Sequence, residues 1–384
     1  MARFFAQTSR GLMEVLGAEI ENFGFKNVER GAGGYHFDSN WAGCYRLNLR
    51  SRVATRVLLP ILDFPAYKNE DLYNNILRHD FTKYIPPNGT LAVEASVRDS
   101  AFKDQRFVAM KVKDAVVDQF RDKFGERPNV DSESPDLRII VRAVESQFHV
   151  AIDTTGEPLF KRGYRVGQVP AHLKEHVAAG LLQLTTWDRV APMVDPMCGS
   201  GTFLIEAALM SLNVAPGTMR RHFGFQRLNN FQVEQWDREV AEAMSEEKEI
   251  QDEEPTDGVP VVKKFFGFDV DKDALQVARK NANAAGVGHL IEFARHPMET
   301  LKAPAAKGIM ITNPPYGDRL GEKEELVETY KNLAHTMKTA FKGWDCYILS
   351  GDPGLSAAMH LKAERKFPVY NGPIECRFLK YKMF

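Results

Sequence analysis

The 384 residues are 44% hydrophobic and 26% charged with a net charge of −1, the values of an ordinary globular chain long enough for two or three domains. No overall basic field marks a nucleic-acid binder, although a local patch is enough for one. Cys44, Cys198, Cys346 and Cys376 lie at least 30 residues apart and read as reduced thiols, while the lack of a leader or of about 18 consecutive uncharged apolar residues predicts a cytoplasmic chain outside any membrane.

In chain order, "RFFAQTS" reads as a strand and "RGLMEVLGAEIENFG" as a helix, its apolar stripe ending near Gly24. "YHFDS" is a strand, "NWAGCYRLNLRSR" a helix and "ATRVLLPILDF" a strand. A second unit follows: strand "TLAVEASV", helix "RFVAMKVKDAVVDQFRDKFG", strands "LRIIVRAVES" and "QFHVAIDTTG". This mixture predicts small α+β modules. "PLFKRGYRVGQVP" is the expected hinge. From Ala171 the texture changes to alternating strands and helices: "AHLKEHVAAGLLQLTTW" (helix), "APMVDPMCGSGTFLIEAALMSL" and "KKFFGFDVDKDALQVARKNANAAG" (each strand, turn, helix), "KGIMITNPPYG", "LVETYKNLAHTMKTAFKG" and "DCYILSGDPG". That order predicts an α/β domain with a doubly wound, Rossmann-like, mostly parallel sheet. Between them, "SEEKEIQDEEPTD" (245–257) holds seven acids and one lysine and reads as a solvated insertion.

Three turns carry chemistry. In "DPMCGSGT" (195–202) Gly199 and Gly201 let a backbone turn approach a ligand at a helix N-terminus. The third glycine of a dinucleotide fingerprint and the lysine of a phosphate-cradling loop are both missing, so a nucleoside ligand without a pyrophosphate fits. In "GFDVD", Asp269 ends the next strand, where an acid reaches a ribose diol. In "NPPY" (313–316) a diproline rules out helix and central strand. The Asn313 side-chain oxygen and the Pro314 carbonyl can accept both hydrogens of an exocyclic amine on a nucleobase. Held so, its lone pair is free for an electrophile. Pro315 stiffens the loop, and Tyr316 offers a face for a flipped base. No strong general base is needed, since the amine loses its proton after attack. Histidines are scattered, His172 and His176 alone share an HxxxH spacing and no HExxH occurs, so no metal is expected.

"NPPY" with "DPMCGSGT" resembles the S-adenosylmethionine-dependent amino-methyltransferases. "AMKVKDAVVDQF", "PNVDSESPDLRI", "LFKRGYR", "APGTMRRHFGF" and "NGPIECR" narrow the resemblance to the L-type guanine-N2 methyltransferases of bacterial large-subunit (23S) ribosomal RNA. The likeness runs nearly end to end. It implies a ferredoxin-like α+β module over 1–55, a THUMP RNA-binding domain over 56–157, a hinge over 158–170 and a class I methyltransferase domain over 171–384. Carried over, Asp195, Met197, Gly199, Gly201 and Thr202 surround the methionine part and sugar of S-adenosylmethionine. Asp269 and Val270 hold its ribose side, Asn313 also borders the cofactor, and Asn313 to Tyr316 grip the guanine amine. Many members place Asp where this chain has Pro297, so Met298 or Glu299 is left to meet the adenine. The segment His172–Glu175 is expected to close over the cofactor.

RNA phosphates need local cations. "YRLNLRSRVATR" offers Arg46, Arg50, Arg52 and Arg56 without an acid, "KRGYR" offers Lys161, Arg162 and Arg165, and the helix "AMKVKDAVVD" offers Lys111 and Lys113. "MRRHFGFQR" is expected to line the groove beside the flipped base. The leading expectation is guanine-N2 methylation of 23S ribosomal RNA. The alternatives are a transfer RNA guanine, an adenine-N6 target, or a non-catalytic RNA-binding assembly factor.

Overall fold

The computed structural model describes residues 1–167, 172–248, 264–316 and 323–384, arranged in two compact units. The first comprises Met1–Thr8, Gly17–Leu159 and Arg220–Ala241, the second Ser9–Leu16, Phe160–Met219 and Glu242–Phe384. Residues 168–170 of the expected hinge and 249–257 of the acidic stretch lie outside the described residues.

The front of the chain runs β1 (Ala2–Gln7), α1 (Met13–Asn22), β2 (Lys26–Gly31), β3 (Gly34–Ser39), α2 (Trp41–Arg50) and β4 (Arg56–Pro65). It continues with α3 (Asn69–Leu77), β5 (Thr90–Arg98), α4 (Gln105–Phe124), β6 (Asn129–Val130), β7 (Leu137–Val144) and β8 (Gln147–Asp153). Its strands form one eight-stranded sheet, ordered β2-β3-β1-β4-β8-β7-β5-β6. The α+β modules therefore share a sheet, because β4 pairs on both edges: Leu58 lies opposite Phe5 of β1 and Asp153 of β8. β7 buries every second residue (Leu137, Ile139, Val141, Ala143), the period-two signature of a half-covered strand. α4 is capped by Asp104 at its start and by left-handed Gly125 at its end. Its buried Val108, Val112, Val116 and Phe120 pack into the core of this unit.

The segment Arg220–Ala241, expected within the catalytic domain, belongs to this first unit. Phe225 is fully buried with its ring 4.5 Å from that of Tyr45 on α2, and Trp236 lies edge-on to both. Arg220 donates to the carbonyls of Pro158 and Glu157 at 2.9 and 2.7 Å. In "MRRHFGFQR", Arg220 is thus a strut and Phe223 and Phe225 are core, while Arg221 and His222 are exposed.

The second unit runs α5 (Glu175–Gln183), β9 (Met193–Asp195), α6 (Thr202–Ser211), the end of α7 (Val233–Ser245), β10 (Phe265–Asp269), α8 (Lys272–Ala284) and β11 (Ile291–Arg295). Then come β12 (Ile309–Thr312), α9 (Lys323–Ala340), β13 (Asp345–Ser350), α10 (Pro353–Ala358), β14 (Arg365–Asn371) and β15 (Ile374–Lys382). The sheet order is β11-β10-β9-β12-β13-β15-β14. β11 to β13 are parallel, and β15 enters antiparallel between β13 and β14. Strand order reverses between β9 and β12, and a crevice opens outside the carboxyl ends at such a switch point. Among the described residues no helix is long and apolar enough to cross a membrane.

Candidate active site

The carboxyl ends of β9, β10 and β12 deliver Asp195, Asp269 and Asn313 to one cavity of about 870 Å³. Gly199, Ser200 and Thr202 line it from the glycine turn, and Val270, Met298, Glu299 and Pro314 to Tyr316 complete much of its wall. His172, Leu173 and Lys174 line it just before α5. The loops that the sequence singles out at Gly199, Asp269 and Asn313 therefore share a rim.

The glycine turn is tied to the neighbouring strand end. Gly199 N–H donates to Asp269 Oδ2 at 2.9 Å, and Cys198 N–H to the Phe268 carbonyl at 2.8 Å. The other Asp269 oxygen accepts from Asp271 N–H at 3.0 Å, while Asp271 itself caps α8. Gly199 and Gly201 both have positive φ, 52° and 77°. Only Gly199 lines the cavity. A Cβ on Gly201 would come within 3.0 Å of the Phe293 ring and 3.2 Å of Ala278. Gly201 therefore serves the turn and the packing of α6, which corrects its expected place against a ligand.

Asp195 is fully buried, and that burial lifts its carboxyl from 3.8 to about 7. The Met197 N–H, donating at 3.1 Å, opposes the shift. The Thr312 hydroxyl also lies beside it, without a hydrogen bond of normal geometry. The cavity thus holds an acid that is half-ionised near neutrality and that a bound cation would ionise.

Asn313 carries the most informative polar atom here. Its Oδ1 is shut from solvent and has no hydrogen-bond partner among the described residues, although buried acceptors are nearly always paired. Tyr316 is anchored beside it. Its hydroxyl accepts from Asn371 Nδ2 at 3.0 Å and from the Cys376 thiol at 3.6 Å. Burial holds the phenol well above its usual range. Gly351, just after β13, makes room for that ring: a Cβ there would fall 2.5 Å from Tyr316 Cδ2.

The sequence reading missed the turn joining β14 to β15. Asn371 pairs with Ile374 across a two-residue loop, with Gly372 at φ 63°, and Asn371, Gly372 and Ile374 all line the cavity. The Asn-Gly pair in "NGPIECR" is a strong hairpin signal and could have found it.

Most of the expected phosphate contacts are internal struts. Arg162 is 1% exposed and faces buried Glu206 at 3.5 Å, with Tyr164 Oη donating to the same carboxylate. Arg165 pairs with buried Glu175 at 2.7 Å. It also donates to the Leu173 carbonyl and to the Ser200 and Thr202 hydroxyls at 3.0 to 3.3 Å. Arg46 forks onto Glu239 at 2.8 and 2.9 Å, Arg56 pairs with buried Asp153, and Arg52 is buried. Arg50 is half-buried with two guanidinium nitrogens shut from solvent. Lys161 is exposed. Lys111 and Lys113 line a separate groove of about 600 Å³ with Arg121 and Arg127, against Asp114 and Asp118.

Comparison with known proteins places names beside this geometry. Residues 162–380 match a family model described as an RMKL-like methyltransferase domain, 66–153 one for the THUMP domain, and 3–58 one for the RlmL ferredoxin-like domain. Ribosomal RNA large subunit methyltransferase K/L of Syntrophotalea carbinolica is 37% identical over 387 residues, covering 99% of this chain and 53% of the relative. The chain thus spans about half the length of that protein. Protein slr0064 of Synechocystis sp., a candidate RNA methyltransferase, is 35% identical over 99% of this chain and 97% of its own. Among solved structures, the candidate methyltransferase SMU.472, complexed with SAH, superposes with a TM-score of 0.88 at 28% identity, covering 100% of this chain and 98% of that one.

Proposed function

This chain belongs to the RMKL-like methyltransferase family, with ferredoxin-like and THUMP domains ahead of a Rossmann-like methyltransferase domain, and we propose that it methylates the N2 amine of a guanine in large-subunit ribosomal RNA at the expense of S-adenosylmethionine. The observation that carries this is the orphaned Asn313 Oδ1 in a cavity shared with the glycine turn and Asp269. A buried acceptor without a partner is a site waiting for a donor. An exocyclic amine brings two.

The residues present fit the cofactor. Asp269 stands at a strand end where a ribose diol is met, Val270 and Met298 supply apolar wall, and Asp195 is an acid that a cation would ionise. S-adenosylmethionine, when bound, supplies a methyl group on a positively charged sulfur. Asn313 Oδ1 and the Pro314 carbonyl would hold the two amine hydrogens and leave the nitrogen lone pair free to take that methyl, the S–C bond breaking with its electron pair left on sulfur as the N–C bond forms. The amine proton is lost afterwards to water. The stiff diproline keeps both acceptors aimed, so little reorganisation is needed at the moment of transfer. Tyr316, its hydroxyl already engaged, presents its ring to a base flipped from the RNA. Lys111 and Lys113, with Arg121 and Arg127, hold RNA phosphates in their groove, and Lys161 adds an exposed cation.

Calorimetric titration of S-adenosylhomocysteine into the full chain tests the cofactor part. One site per chain is expected, with affinity rising between pH 6 and 8. The sign follows from Asp195: its carboxyl is neutral below about pH 7, and only the ionised form attracts the ligand's ammonium group. No binding at any pH would sink the proposal.

A further inference from the structure

The Asn313 loop selects an amine, not a base. Guanine N2 and adenine N6 each offer two hydrogens to two acceptors. What differs is the neighbouring ring nitrogen: N1 of guanine carries a hydrogen, whereas N1 of adenine is an acceptor. A pocket that takes guanine needs one more acceptor beside the amine grip.

The cavity's carboxylates are those of Asp195, Asp269 and Asp271 at the ends of β9 and β10, on the glycine-turn side, and that of Glu299 after β11, which accepts from Asn332 of α9 at 3.3 Å. On the Tyr316 side, the side-chain oxygens lining the cavity are those of Thr329 and Asn371. Thr329 Oγ1 is turned back onto the Glu325 carbonyl of its own helix at 2.9 Å. Asn371 is placed differently. Its Nδ2 donates to the Tyr316 hydroxyl at 3.0 Å, which fixes the amide plane and leaves Oδ1 with no partner among the described residues. The two-residue turn to Ile374 holds the backbone beneath it. Ile374, 45% exposed, also lines this wall, and a Cβ on Gly351 would lie 3.2 Å from its Cγ2.

We infer that Asn371 is the specificity-determining residue of the base pocket, its Oδ1 accepting the N1–H of guanine while its Nδ2 holds Tyr316 in place. The inference rests on the guanine-amine function proposed for this cavity. It assigns base identity to the β14–β15 turn and amine activation to the Asn313 loop.

The test compares two synthetic RNA hairpins carrying the target nucleotide, one with guanine and one with 2-aminopurine at that position. The latter keeps the C2 amine and lacks the N1 hydrogen. The parent protein should prefer guanine by on the order of 100-fold in kcat/KM, because 2-aminopurine turns a lone pair toward an acceptor. Asn371→Leu should lower transfer to guanine far more than to 2-aminopurine, bringing the preference to within about threefold of unity. Loss of the Tyr316 contact affects both substrates and cancels in the ratio. Asn371→Asp, which retains acceptor oxygens, should keep the preference. S-adenosylhomocysteine affinity checks that each variant is folded. An unchanged ratio in Asn371→Leu, or a parent protein that prefers 2-aminopurine (as a reversed amide would dictate), overturns the inference while leaving the amine grip intact. Transfer to neither hairpin by a parent protein that binds S-adenosylhomocysteine overturns the guanine function, and this inference falls with it.

Discussion

Asn313→Ala protein binds S-adenosylhomocysteine within about threefold of the parent and transfers methyl groups at least about 1000-fold more slowly. The two halves of that result have separate causes. In the proposed function cofactor affinity resides in the glycine turn, Asp195 and Asp269, whose contacts are made with one another: Gly199 N–H to Asp269, Met197 N–H to Asp195. Removing the Asn313 amide leaves that set untouched. What disappears is the buried, unpartnered oxygen, and with it one of the two acceptors that hold the amine. An amine conjugated to an aromatic ring is a weak nucleophile, so the rate depends on being held with its lone pair aimed. The check is single-turnover methyl transfer beside calorimetry on the same preparation. A variant that loses cofactor binding instead would place Asn313 in the cofactor site and remove it from the chemistry.

Arg165→Ala separates a strut from an RNA contact. Its partner Glu175 is 4% exposed, and removing one member of a buried ion pair strands the other, at a cost of about 3–5 kcal/mol. The Leu173 carbonyl and the Ser200 and Thr202 hydroxyls lose a shared donor at the same time. All three residues line the cavity. Denaturant unfolding should therefore show that loss of stability, and S-adenosylhomocysteine affinity should fall, while RNA affinity and its salt slope stay as they were. The double variant Arg165→Met, Glu175→Leu should regain most of the stability, since apolar replacement of both partners avoids a stranded charge, and should not regain the cofactor affinity. Weaker RNA binding with unchanged stability in Arg165→Ala would restore the phosphate role suggested by "KRGYR".

That contrast shows which parts of the site were legible in the sequence. Glycine and proline act locally, through φ and through missing donors. "DPMCGSGT" and "NPPY" therefore announce their turns without reference to the rest of the chain, and strand alternation puts both on one rim. Arginine acts through its partner, which is seldom nearby in sequence. "YRLNLRSRVATR" contains no acid, yet Glu239 and Asp153 reach it from distant elements and turn Arg46 and Arg56 inward. Gly201 reads as a ligand-approach glycine in sequence, as Gly199 does; only Gly199 lines the cavity, and a Cβ on Gly201 would meet the ring of Phe293, 92 residues on. The segment 220–241 was assigned by its position after α6, whereas its aromatic residues find Tyr45 and join the first unit. The β14–β15 turn had a local signal in Asn-Gly. The alternation of strands and helices before it points to parallel strands instead.

The central claim is that this chain places a methyl group on guanine N2 in large-subunit ribosomal RNA. The measurement that tests it most directly is nucleoside mass spectrometry of digested 23S RNA and transfer RNA from a strain lacking the gene, with fragment mapping of any change. The account predicts that one N2-methylguanosine disappears from 23S RNA and returns with the parent gene but not with Asn313→Ala. An unchanged 23S profile, with the methylguanosine lost from transfer RNA or no nucleoside lost at all, would contradict it.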